Sequence, residues 1–137
     1  FIGDRTINDP FFSTGRVKSI WKSLGKDITH TNSDFFNLEP GDIKEDCIIS
    51  NIPFSIKNRV FRRLFELDKP FIVLVPIQTI AYIKTQRIIG DKSIQLIIPN
   101  VYKGYIDPIT GEQTKALPFY SIFVCYKMNL NQDINYI

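Results

Sequence analysis

Two short stretches constrain the fold of this chain more than anything else in it: "DCIIS" at 46–50 and "PFIVLVP" at 70–76. Each carries an uninterrupted apolar run, 47–49 and 70–76, too short for a buried helix. A strand with one face in water alternates apolar and polar residues, and these do not, so both of their faces must be covered. Sheets covered on both sides belong to α/β architectures, in which crossover helices lie on the faces. The residues between the two runs agree. Ile56, Val60, Leu64 and Leu67 recur at helical spacing and stop before "DKP". The two runs are therefore expected to be adjacent central strands of a mainly parallel sheet.

The remaining apolar pattern extends this alternation. "RTIND" reads as a first strand running into the turn "DPFFSTG". Val17, Ile20, Trp21 and Leu24 then mark one face of a helix, with Gly25 as its C-cap and Trp21 as a core residue. "DITHTNS" reads as a second strand, "IQTIAYIKTQRII" as a helix and "SIQLIIP" as a strand. "KGYIDPITGEQTK" is a turn-rich excursion, and "FYSIFVCY" a last strand, antiparallel and near the sheet edge in a hairpin with "SIQLIIP". The tail "NLNQDINYI" carries little signal. The expectation is one α/β domain over 1–137, with a mostly parallel central sheet and an antiparallel C-terminal strand.

Composition narrows the function classes. With 44% hydrophobic and 23% charged residues in 137, the chain has an ordinary globular balance. No apolar stretch approaches the roughly 18 residues that span a bilayer, so no membrane partner is expected. The two cysteines, Cys47 and Cys125, lie far apart in apolar runs. With His30 the sole histidine, a metal site is not expected, and reduced buried thiols suggest an intracellular protein. His30 itself reads as a strand or surface residue. A net charge of +3 permits a polyanionic partner without requiring one. No secretory signal is visible, although the missing initiator Met leaves open an upstream segment.

In such sheets ligands bind outside the carboxyl ends of the strands. Two turns fall there. "NDPFFSTGR" (8–16) leads a strand into a helix, offering backbone N–H groups to a polar ligand; ordinary turn chemistry gives the same pattern. "SNIPF" (50–54) puts an amide, a proline and an aromatic ring at a strand tip. Asn51 there either presents its side chain to a ligand or caps the helix that follows.

Taken together, the two turns resemble the amino-methyltransferases that act on adenine N6 with S-adenosylmethionine. "DPFFSTG" is similar to that family's D-P-F-x-G-x-G cofactor loop, "SDFF" to its D-F-F segment after the second strand, and "SNIPF" to its N-P-P-F/Y catalytic motif. "LDKPFIVLVP" and "PFYSIFVCY" resemble the phage and virus-type DNA adenine methyltransferases, and the likeness covers nearly the whole chain. The resemblance implies a Rossmann-like methyltransferase fold, with S-adenosylmethionine as cofactor and adenine-containing DNA, or RNA, as partner. It implies catalytic roles for Asn51, Pro53 and Phe54, and cofactor contacts from Asp9, Pro10, Phe11, Ser13, Gly15, Asn32, Asp34 and Phe35. Substrate contacts fall to Ile52 and Lys57. Arg59, Arg62 and Arg63 form a second cluster that either tracks phosphates or is a solvated helix face; Lys103, Tyr105 and Lys115 are further hairpin candidates.

The residue types suit that chemistry. Adenine N6 is a poor nucleophile because its lone pair is delocalised into the ring. An Asn51 side-chain oxygen and the carbonyl of residue 52, accepting its two N–H hydrogens, turn the lone pair toward a methyl donor as positive charge develops. Phe54 supplies a stacking face for a flipped base. Three positions depart from the family pattern. Ser13 stands where the loop usually has its first glycine, Asn32 where an acid commonly meets ribose hydroxyls, and Ile52 in place of the first proline, as in the rRNA adenine dimethylases. The first strand also begins close to residue 1, so a segment that helps close the cofactor site is expected to be missing. These departures leave a second reading: a catalytically inactive methyltransferase-fold protein serving as a binding or structural subunit.

Overall fold

The computed structural model describes residues 1–11, 16–31, 33–100, 110, 112 and 119–137. Ser13, Gly15, Asn32, Lys103, Tyr105 and Lys115 lie outside the described residues.

Among the described residues seven strands form one sheet: β1 (Ile7–Asn8), β2 (Ile28–Thr29), β3 (Cys47–Asn51), β4 (Phe71–Pro76), β5 (Ile94–Ile98), β6 (Ser121–Tyr126) and β7 (Ile134–Tyr136). Their order across the sheet is β2-β1-β3-β4-β6-β5-β7. All pairings are parallel except the two made by β6, which runs antiparallel to β4 and β5. The fold is α/β with a mixed, mostly parallel sheet. The two apolar runs are β3 and β4, in register from Ile48 opposite Phe71 to Asn51 opposite Leu74, and neither is at an edge.

Their burial on both faces follows the strand period of two. Phe71 and Val73 enter one core layer with Ile48, Val60, Phe61 and Leu64. Ile72 points the other way, joining Ile7, Ile28, Cys47, Cys125 and Met128. The first layer is covered by α2 (Lys57–Leu67), which buries Val60, Phe61, Leu64, Phe65 and Leu67. Its aromatic rings continue into the sheet, with Phe65 edge-on to Phe71 at 5.4 Å and to Tyr126 at 5.2 Å. α2 ends at Asp68, whose left-handed backbone (φ 53°) lets its amide bond the Leu64 carbonyl at 3.2 Å.

Three expectations need correction. α1 (Arg16–Ser23) forms where its stripe predicts, and Gly25 follows with φ 74°. Yet Val17, Ile20 and Leu24 are exposed; the short helix meets the second core layer through Trp21, itself only half-buried. "IQTIAYIKTQRII" is not one helix. A 3-10 turn at Ile77–Ala81 and α3 (Ile83–Ile89) are separated by Tyr82, whose backbone is extended (φ −73°, ψ 129°). The hairpin of β5 and β6 is antiparallel as expected but is not the sheet edge. β7, in the tail where no element is expected, pairs with β5 in parallel and takes that place. The strands at "RTIND" and "DITHTNS" exist, each only two residues long.

Candidate active site

Because β1 to β4 are parallel neighbours, their carboxyl ends share one edge, and both sequence turns arrive there. The first turn is fixed through Asp9, which is only 3% exposed. Its carboxylate oxygen Oδ1 accepts hydrogen bonds from the Phe11 backbone N–H at 3.2 Å and from the Ser50 hydroxyl at 2.6 Å. The Asp9 N–H donates to the Thr29 carbonyl at 3.0 Å, and its own carbonyl lies 2.8 Å from His30 Nδ1. Asp9 therefore joins the first turn to the residue preceding Asn51, across 41 positions of sequence. Pro10 and Phe11 follow half-buried, and Phe11 packs on Phe35 with ring centroids 4.8 Å apart. Phe35 belongs to the core, 3% exposed, while Asp34 accepts the Phe36 N–H at 3.1 Å and caps the 3-10 turn Phe35–Asn37.

A second polar group lies at the ends of β1 and β2. Asn8 Nδ2 donates to Thr31 Oγ1 at 3.0 Å and to Glu45 Oε2 at 3.1 Å. Its Oδ1 is buried and has no hydrogen-bond partner among the described residues. Partial burial of Glu45 favours the protonated carboxyl, but hydrogen bonds from Thr29, its own backbone and Asn8, with the charge of Lys69, outweigh it. The carboxyl is held below its usual range.

At the second turn, Asn51 ends β3 with its side chain exposed, Ile52 is 2% exposed, and Pro53 holds an extended backbone (φ −63°, ψ 117°). Phe54 opens a 3-10 turn, Phe54–Ile56, that feeds directly into α2. The cap positions are Pro53 for the turn and Ile56 for α2, and neither start has a side-chain cap bond. Asn51 is thus not a helix cap, and its amide bonds no described residue. Phe54 meets Phe119 edge-on at 5.8 Å, and Lys57 Nζ sits 3.4 Å from the Phe54 carbonyl and 5.3 Å from the Tyr82 ring centre.

The arginines of α2 do not form one cluster. The Arg59 guanidinium lies 3.7 Å over the Phe36 ring. Arg63 donates to the Leu38 carbonyl and pairs with Glu66 at 2.9 Å and Glu39 at 3.6 Å. Arg62 points to the other flank, facing α3. No metal-ligating cluster occurs among the described residues. Burial pushes the thiols of Cys47 and Cys125 up to about 11 and about 12, so both are inert at neutral pH. Sequence reasoning missed Ser50, Asn8, Thr31 and Glu45 as members of this edge. Ser50 had one visible signal, a polar residue in a strand otherwise buried on both faces. No helix among the described residues is long and apolar enough to cross a membrane.

No family model and no curated protein matches this chain.

Proposed function

We propose that this chain is a Rossmann-like methyltransferase domain that transfers a methyl group from S-adenosylmethionine to adenine N6 in DNA. One observation supports this most: the D-P-F turn and the N-I-P-F turn meet at the carboxyl edge, bonded through Asp9 and Ser50 at 2.6 Å, with the Asn51 amide exposed and unused. A strand-tip asparagine that neither caps a helix nor bonds a neighbour is available to a ligand. The antiparallel strand β6, the one such strand among the described residues, also supports this reading of the fold.

The residues present suit the cofactor in part. The Asp9–Phe11 turn, Thr31 and the orphaned Asn8 oxygen put polar groups at the ends of β1 and β2. When bound there, S-adenosylmethionine supplies an electrophilic methyl group. Asp9 acts through the turn it fixes, since its Oδ1 already accepts two hydrogen bonds. The Asn51 side-chain oxygen and the Ile52 carbonyl accept the N6 hydrogens, Pro53 holds them in register, and Phe54 stacks on the base. The methylated N6, acidic once it carries positive charge, gives up one of its hydrogens to water as S-adenosylhomocysteine leaves, so no titrating base is needed.

The test is calorimetric titration with S-adenosylmethionine and S-adenosylhomocysteine, followed by transfer of labelled methyl to adenine-containing DNA and RNA. Binding with transfer to DNA is expected. Binding of neither cofactor form would overturn the reading in favour of a scaffold that keeps the fold without the reaction.

A further inference from the structure

Several cations of this chain that lie near the helical layer are used internally. Arg59 lies on Phe36, Arg63 is held by Leu38, Glu39 and Glu66, and Lys127 pairs with Asp68 at 2.6 Å. Beyond these, Arg62 on α2, Lys84 and Arg87 on α3 and Lys92 just after it form no ion pair among the described residues, and all four are exposed. Arg62, Arg87 and Lys92 line one crevice of about 330 Å³ together with Phe65, Ile88 and Glu66. Glu66 is the one carboxylate among its described lining residues, and it pairs with Arg63 at 2.9 Å, which Glu39 shares at 3.6 Å. The floor is apolar, and Lys92 Nζ lies 5.5 Å from the Phe65 ring centre.

Three cations without an ion pair among the described residues, with Asp68 acting on Lys92 only at longer range, repel one another around one crevice and favour an anionic occupant. They come from a helix, a second helix and the turn after it, a spread that suits a chain of phosphates better than one small anion. The crevice is lined by none of the candidate-site residues at the carboxyl edge; on α2, Arg62 lies about 7 Å along the helix axis from Lys57 at 1.5 Å per residue. We propose that the α2–α3 crevice is a nucleic-acid contact, separate from the Asn51 edge, in which Arg62, Arg87 and Lys92 neutralise backbone phosphates. It rests on the proposed function only in that nucleic acid comes to this chain at all. Such contacts carry no sequence information, so the loss in the crevice variant is expected to be the same for an adenine-free duplex as for one containing adenine.

Binding of labelled 20-base-pair duplexes, one with adenine and one of dG and dC alone, is measured by fluorescence anisotropy across a salt series. The variant Arg62→Gln/Arg87→Gln/Lys92→Gln is compared with the equally charged Lys18→Gln/Lys22→Gln/Lys44→Gln, which alters exposed lysines elsewhere. Each phosphate contact contributes about 0.9 to the log–log salt slope, so the crevice variant is expected to lose about 2–3 in slope and at least tenfold in affinity near ~0.1 M salt. The control variant should lose far less. Wild-type affinity and slope in the crevice variant, an equal loss in the control, or no binding by the wild type would each overturn the inference. Cofactor titration judges the methyltransferase reading separately: cofactor binding with an unaffected crevice variant sinks only the crevice, and a weakened crevice variant without cofactor binding sinks only the reaction.

Discussion

The two ends of the parallel strands treat their polar groups in opposite ways. At the amino edge they are consumed. Thr6 and Asp46 exchange three hydrogen bonds of 2.7–3.0 Å that tie the entry of β1 to that of β3, and Asp68 holds Tyr126 and Lys127 at the foot of α2. At the carboxyl edge the side-chain bonds stop one residue short of the tip. Ser50 is spent on Asp9, while Asn51 is left exposed. An exposed strand-tip amide is solvated by water at no cost and can exchange that water for a ligand. The contrast separates residues that hold the sheet from residues available to a ligand.

The comparison is sharpened first at Ser50. Ser50→Ala leaves the buried Asp9 carboxylate one donor short and should cost about 1–3 kcal/mol of unfolding free energy, measured by denaturant melts. A neutral result would mean that the bond does not join the two turns. Phe54→Ala should weaken engagement of adenine-containing substrate by about 1–3 kcal/mol in a binding titration, with little effect on cofactor affinity. The amino edge is broken by acid. The Thr6 backbone N–H lowers the Asp46 carboxyl, and the Lys127 hydrogen bond lowers that of Asp68. Their folded-state values lie below the unfolded value of 3.8, so their contribution is present above that pH and is lost as pH falls through the folded values. Asp46→Asn/Asp68→Asn should therefore flatten the acid limb of the melting-temperature profile, and an unchanged limb would contradict the assignment. The smallest effect is expected at the cysteines: an aromatic disulfide reagent should leave Cys47 and Cys125 unmodified at pH 8 until denaturant is added.

Much of this fold is legible in the sequence because two-sided burial leaves no polar alternation to misread. β3, β4 and the stripe of α2 are clear for that reason. β7 is not: Ile134 and Tyr136 are 45% and 68% exposed, and their pairing with β5 joins residues far apart in the chain. The apolar stripe of α1 gives the helix correctly but not its burial, since periodicity reports a face and not what covers it. At the candidate site, Asn51, Pro53 and Phe54 are legible as a strand-tip motif. The bond between Asp9 and Ser50 is not, because a polar contact between distant positions leaves no periodic trace. Asp34 and Phe35 come from a resemblance, and the structure gives them local work: a cap and a core contact with Phe11.

The central claim is tested most directly on Asn51→Ala, by measuring transfer of labelled methyl to adenine N6 and melting temperature on the same preparation. Since Asn51 is exposed and caps no helix, stability should change by no more than about 0.5 kcal/mol. Methyl transfer should fall by about 10²–10³-fold, the usual loss when one preorganised transition-state contact is removed, with cofactor affinity unchanged. A variant that melts lower yet methylates adenine at the wild-type rate would contradict the account.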